Sequence, residues 1–213
     1  MQIAPLLHIG RGVTALIGGG GKTTLLITLA EELRKKGAVV LCTSTHIRVP
    51  EQYPLVTGDA EAIAAALREH GAVCAGTHAA DGKLTASPVS FAELSRLADY
   101  VLVEADGARG LPLKRHVAHE PVIPDNASRV VLVVGADCFG RSVRDVCHRG
   151  TEDVPVTPDW AARHIIAEGF GDRVYVNKVE TAADYANARE LAERLTCPVV
   201  AGSLHKGVYV CLR

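Results

Sequence analysis

Short apolar runs rich in β-branched residues alternate along the chain with longer stretches in which apolar residues recur three or four apart. That alternation predicts a mostly parallel sheet wrapped by helices. Strands are expected near residues 12–17, 38–43, 72–76, 100–104, 129–134, 173–177 and 198–201. The clearest helical patterns cover 22–36, 60–70, 158–168 and 182–195, with Gly37 and Gly71 as helix stops. The fold class is therefore α/β: an open sheet, mostly parallel, flanked by helices on both faces.

Two segments depart from the alternation. Residues 76–90 carry Asp81-Gly82 in a polar stretch, which reads as a turn and places a β-hairpin at the sheet edge. Residues 108–126 hold Pro112, Pro121 and Pro124 among basic and histidine residues, and read as an irregular loop over the top of the sheet. The tail, 207–212, reads as one last strand. No internal repeat or linker interrupts the pattern, so residues 1–213 are expected to form a single nucleotide-binding domain.

Composition narrows the classes. A chain of 213 residues with 48% hydrophobic content and a net charge of −1 can bury one good core, and nothing in that balance calls for nucleic acid. Its longest apolar runs are strand-sized, far below the roughly 20 residues that span a bilayer. The first twelve residues lack the basic start, apolar stretch and cleavage site of a secretory leader. A cytoplasmic protein without membrane segments is expected. The six cysteines form no Cys-x-x-Cys pair and read as small buried hydrophobes.

The candidate chemistry begins at Gly18-Gly19-Gly20-Gly21-Lys22-Thr23-Thr24, set between a strand pattern and a helix pattern. Glycines let backbone N–H groups turn inward around a phosphate, a lysine adds mobile positive charge, and a threonine hydroxyl can reach magnesium. The run therefore implies a site for a nucleoside triphosphate. In this reading the N–H groups of Gly19 to Thr24 surround the β-phosphate and Lys22 bridges β and γ oxygens. Thr23 ligates magnesium, and Thr24 contacts the α-phosphate or caps the helix. Alignment on Lys22 puts Leu16 where the strict G-x-x-x-x-G-K-[ST] motif has its first glycine. The core that remains, G-G-x-G-K-T, is that of the branch of phosphate-loop proteins that includes metal-insertion GTPases and dethiobiotin synthetase.

A phosphate loop needs a carboxylate at a neighbouring strand end to hold magnesium, and Tyr100-Val-Leu-Val-Glu104-Ala-Asp106 supplies two on one face of an extended chain. Either serves as metal-side ligand, and Asp106 alternatively orients the attacking water. Arg109 and Lys114, in the loop that follows, are candidates to bring a cation to the γ-phosphate or to hold a second substrate. His116, His119 and Glu120 would converge on a metal only if that segment were helical. Asn177-Lys178-Val179-Glu180, after an apolar strand, matches the guanine-reading N-K-x-D pattern with glutamate for aspartate, which places GTP slightly ahead of ATP. Thr43, Ser44, Thr45 and His46 end a strand on the ligand side, where they either bind a second substrate or cap the turn.

Taken together, the motifs 17–24, 43–46, 104–114, 119–124 and Asn177-Lys178 resemble the YqeC family, over nearly the whole chain. The resemblance implies a P-loop NTPase fold and an accessory role in the maturation of a selenium-dependent molybdenum hydroxylase. It thus implies as partners a client metalloenzyme or a selenium- and molybdenum-containing cofactor. Three functions are compatible with the residues. One is an NTPase whose magnesium-dependent hydrolysis times delivery of a metal or selenium species. The others are a small-molecule kinase or activating ligase, and a nucleotide-sensing protein without turnover; a homodimer is compatible with each.

Overall fold

The computed structural model describes residues 1–48, 50–80 and 82–213. Its first half runs β1 (Gly12–Gly18), α1 (Lys22–Leu33), β2 (Val39–Thr43), β3 (Leu55–Val56), α2 (Ala60–His70), β4 (Ala72–Ala75), β5 (Thr77–His78), β6 (Leu84–Thr85), α3 (Phe91–Leu97) and β7 (Tyr100–Glu104). The second half runs β8 (Leu113–Lys114), β9 (Ala127–Gly135), α4 (Val143–Val146), β10 (Cys147–His148), α5 (Pro158–Glu168), β11 (Arg173–Asn177), α6 (Ala182–Arg194), β12 (Val199–Ser203) and β13 (Val208–Cys211). Nine strands form one sheet in the order β13-β12-β11-β9-β1-β7-β2-β4-β3. Every neighbouring pair in it is parallel except β12 and β13.

Burial on both faces explains the near-continuous apolar runs of the central strands. Leu16, Leu41, Leu102 and Val133 pack beneath α1 and the N-terminal residues Ile3 and Leu7. Their strand neighbours face the other way: Ala15, Ile17 and Val134 meet α5 and α6, while Val40, Val101 and Val103 meet α2 and α3. Helices thus cover both faces, and the period-two alternation within β1 decides which residue serves which layer.

Helix boundaries follow local capping chemistry. Asp59 accepts from the Ala62 N–H and Gly71 ends α2 in the left-handed region. Thr157 caps α5 ahead of Pro158, and Gly169 ends it in the same way. The first helix is shorter than its pattern, closing at Leu33 instead of residue 36. Gly37 is not a left-handed stop: a Cβ there would lie 2.2 Å from Asp99 Oδ2, the atom that accepts the Ala38 N–H. The glycine serves a close approach. β3 and α3, too short to show a period, were absent from the expected elements. The hairpin near 76–90 is present as the antiparallel pair β5 and β6, although Asp81 of its expected turn lies outside the described residues. An antiparallel bridge from Ile47 to Leu84 ties this hairpin to the segment after β2.

Candidate functional site

The site is built where β1, β7 and β11 reach their carboxyl ends, the side of an open parallel sheet on which ligands gather. Between β1 and α1 the chain turns through Gly18, Gly20 and Gly21, all with positive φ. Packing demands glycine there as strongly as the backbone does. A Cβ on Gly18 would stand 2.4 Å from the Val133 carbonyl oxygen, one on Gly19 2.4 Å from that of Leu111, and one on Gly20 2.2 Å from the Gly135 nitrogen. The loop is threaded between the end of β9 and the segment 111–112. Leu16, where the strict motif has a glycine, is fully buried in the core, so the tight turn begins only at Gly18.

Not all of the loop's N–H groups face a ligand, which corrects the expectation for Gly19 to Thr24. Gly18 donates to Asp106 Oδ2 (2.7 Å), Gly19 to the Val133 carbonyl (2.9 Å) and Gly20 to the Leu111 carbonyl (3.0 Å). Tight packing against neighbouring backbone is what takes the Gly19 and Gly20 donors. The N–H groups of Lys22, Thr23 and Thr24 begin α1 and have no carbonyl one turn back, so the helix end presents them with its partial positive charge.

Around Lys22 the structure gathers both acidic candidates. Its Nζ donates to the Gly18 carbonyl (2.6 Å) and lies 2.9 Å from Asp106 Oδ1 and 3.8 Å from Glu104 Oε1. Thr23 Oγ1 donates to Glu104 Oε2 at 2.8 Å. The two carboxylates differ in character. Burial lifts Glu104 above the ordinary carboxylate range, only partly opposed by Lys22 and Thr23. Burial also pushes Asp106 up, but hydrogen bonds from His116, Lys22 and the Gly18 N–H outweigh it and hold the group low. Asp106 is thus the firm anion of the pair.

His116, never a candidate for this role from sequence, clamps that anion. Its Nε2 stands 2.6 Å from Asp106 Oδ2 and its Nδ1 2.7 Å from Glu168 Oε2, while its backbone N–H donates to Glu168 Oε1 (2.7 Å). The segment is irregular where a His116, His119 and Glu120 metal site would need a helix; among the described residues no cluster suited to a metal forms there. His119 is exposed, and Glu120 pairs with Lys114 at 2.9 Å and with Arg149. Lys114 is consequently buried and spent on Glu120 and on the Gly107 carbonyl (2.7 Å), which corrects its reading as a mobile cation. Arg109 remains exposed at φ 51°.

The imidazole clamp carries a pH signature. Burial pushes the His116 pKa down, but the Asp106 and Glu168 carboxylates raise it further, to a net value above the ordinary 6.5. Because the folded value is raised, its stabilisation is complete below about pH 6.5 and is lost as pH rises through the folded value. The urea midpoint is expected to fall between pH 6.5 and pH 9 in the natural chain, and His116→Gln should flatten that fall. Parallel curves for the two proteins would contradict the clamp.

At the other end of the loop, Asn177 Nδ2 donates to the Gly20 carbonyl at 2.8 Å, which braces the phosphate loop from β11. Lys178 has a positive φ and pairs with Asp137 at 2.6 Å. Glu180 accepts from Ser203 Oγ at 2.8 Å and lies 3.9 Å from Lys206 Nζ. The hydroxyls after β2 are capping groups: Thr43 donates to the Glu104 carbonyl (2.7 Å) and receives the Thr45 N–H, while Ser44 donates to the Val122 carbonyl (2.6 Å). His46 alone of that quartet opens on the ligand side. It joins Gly19–Thr24, Glu104 and Arg109 in lining a cleft of about 690 Å³.

Comparison with known proteins matches the same region. The model of the family described as YqeC protein matches residues 14–151, which spans the phosphate loop, the β7 end and the His116 segment. The YqeC protein of Escherichia coli (strain K12) is 34% identical over 154 residues, 68% of this chain. The chain spans 60% of the length of that relative. Among solved structures, the 54 kDa signal recognition particle protein of Aeropyrum pernix K1 in complex with GDP is similar at a TM-score of 0.47 and 20% identity, covering 95% of this chain and 44% of that one. The hydrogenase maturation factor HypB of Archaeoglobus fulgidus is similar at 0.46 and 13% identity, covering 97% and 86%.

Proposed function

This chain belongs to the YqeC family, and on that premise we propose that its residues 1–213 act as one domain that binds and hydrolyses a nucleoside triphosphate with magnesium. The observation that carries the reading is the placement of Lys22, at a helix N-terminus, 2.9 Å from a buried aspartate and 2.6 Å from the Gly18 carbonyl. A triphosphate entering against the N–H groups of Lys22, Thr23 and Thr24 draws this ammonium from Asp106 onto its β and γ oxygens. Asp106 keeps His116 and the Gly18 N–H, so it stays a carboxylate able to orient an attacking water. Thr23 and Glu104 form an all-oxygen pair of the kind that holds magnesium with the help of substrate phosphates. Bound there, the ion would neutralise charge building on the β and γ oxygens.

Asn177, Lys178 and Glu180 support a base site beside the loop, with guanine ahead of adenine; Glu180 must leave Ser203 to reach a base. The motif set shared with the family supports an accessory role in maturing a selenium-dependent molybdenum hydroxylase in the cytoplasm. Among the described residues no helix is long and apolar enough to cross a membrane.

Release of inorganic phosphate from GTP and ATP tests the enzymatic part. Slow release is expected, faster with GTP, abolished by chelating magnesium and reduced about tenfold or more by Thr23→Ala, the size of effect that losing one charge-assisted contact produces. Release indifferent to chelation and to Thr23→Ala would contradict it.

A further inference from the structure

We propose that Arg109 is a catalytic residue of the triphosphate site: a strained turn anchored to the phosphate loop brings its guanidinium onto the terminal phosphoryl group. This rests on the triphosphate reading and adds the group that meets the charge developing in the reaction. Arg109 stands in the turn 108–111, which the Leu111 N–H closes by donating to the Ala108 carbonyl at 3.0 Å. Both central residues are left-handed, Arg109 at φ 51° and Gly110 at φ 78°. Turns of that hand favour glycine, asparagine and aspartate, because a Cβ there crowds the following carbonyl. The backbone alone gives no reason for arginine at this position. Strain of this kind persists where the side chain serves a site.

The base of the turn is fixed on both sides. Ala108 is buried, and the Gly107 carbonyl accepts from the buried Lys114 at 2.7 Å. On the other side the Leu111 carbonyl accepts the Gly20 N–H at 3.0 Å and the Pro112 carbonyl accepts the Gly135 N–H at 2.9 Å. Turn and phosphate loop thus form one unit, and Arg109 at its tip lines the same cleft as Lys22, Thr23 and Glu104. A cation carried on such a base is preorganised for charge that develops beside it. The other cations of this region are engaged: Lys22 faces Asp106, Lys114 and Arg149 share Glu120, Lys178 pairs with Asp137 and Arg115 with Glu152. Among the described residues no carboxylate pairs with Arg109, which is exposed.

Hydrolysis joins a water oxygen to the γ phosphorus as the bond to the β,γ-bridging oxygen breaks. The electron pair of that bond leaves with the diphosphate, and one proton of the water passes to solvent. Negative charge spreads over the γ oxygens and the leaving oxygen, and arginine's planar fork meets two such oxygens at once. Lys22 comes to them from α1 and Arg109 from the segment after β7, so the chain supplies the second cation itself.

The test is single-turnover hydrolysis of GTP and of ATP, with calorimetric titration of the matching diphosphate alone and with aluminium fluoride, which mimics the transferring phosphoryl group. Arg109→Gly relaxes the turn, so its melting temperature should stay within about 3 °C of the natural chain. Its rate constant should fall about a hundredfold or more, as should its affinity for the fluoride complex, while diphosphate affinity holds within about threefold. Arg48→Ala removes another cation that lines the cleft, and should leave the rate within about threefold. A rate and fluoride affinity kept in Arg109→Gly, or equal losses in the two variants, would overturn the assignment. So would a melting temperature lowered by about 10 °C, which would make Arg109 a structural residue. The fluoride titration needs no turnover, so it judges Arg109 even where hydrolysis is too slow to follow. If the natural chain binds neither diphosphate nor fluoride complex, the triphosphate reading itself falls; binding that Arg109→Gly leaves unchanged removes Arg109 alone.

Discussion

Asp106→Ala is expected to cost about 3–5 kcal/mol of folding stability, the range measured when one partner is removed from a buried ion pair. Asp106 is fully buried and accepts from the Gly18 N–H while facing Lys22 and His116. Alanine would leave Lys22, His116, the more distant Lys114 and a backbone donor around an empty space, with Glu104, 3.8 Å from Lys22, and Glu168, 2.7 Å from His116, as the remaining anions beside the first two. In a chain of this size the melting temperature should drop by roughly 10 °C or more. Asp106→Asn, which fills the space but lacks the charge, should fall between the two. A loss below about 1 kcal/mol for alanine would show that the aspartate is not the centre of this network.

Gly20→Ala should be nearly as damaging and should remove triphosphate binding altogether. Left-handed backbone at a non-glycine residue costs roughly 1–2 kcal/mol, and here φ is +74°. The added Cβ would also stand 2.2 Å from the Gly135 nitrogen and 2.6 Å from its Cα, which are backbone atoms that move only with the end of β9. Forcing them apart breaks the Gly20 to Leu111 hydrogen bond and shifts Asn177 off the Gly20 carbonyl. Gly71→Ala is the control. It has a similar φ of +73° with nothing within 4 Å of the new atom, so it should show the backbone penalty alone and keep binding intact. Equal losses for the two variants would mean that loop packing does not matter.

What the sequence made legible follows from the range of the interactions. The phosphate loop, the Glu104 and Asp106 pair on one strand end and the Gly71 stop of α2 are local patterns, so residue types at short spacing point to them. His116 was not legible in this role. Its partners stand 10 and 52 residues away, and only the packing of the 108–126 loop against α5 joins them. Lys114 was misread for a related reason, because a basic residue in a proline-rich loop gives no hint that Glu120 will bury it. The Leu111 and Val133 carbonyls that take the Gly20 and Gly19 donors are backbone atoms, which carry no residue signature at all. Leu16, which departs from the strict motif, is a core position beneath α1.

The central claim is that the helix end at Lys22 holds a triphosphate, and direct calorimetric titration of GTP and ATP tests it most directly. With magnesium the natural chain should bind at least one of them in a single site. Lys22→Ala should lose about a hundredfold or more in affinity while remaining folded by circular dichroism. Binding that is absent for both nucleotides in the natural chain, or unchanged in a folded Lys22→Ala protein, would contradict it.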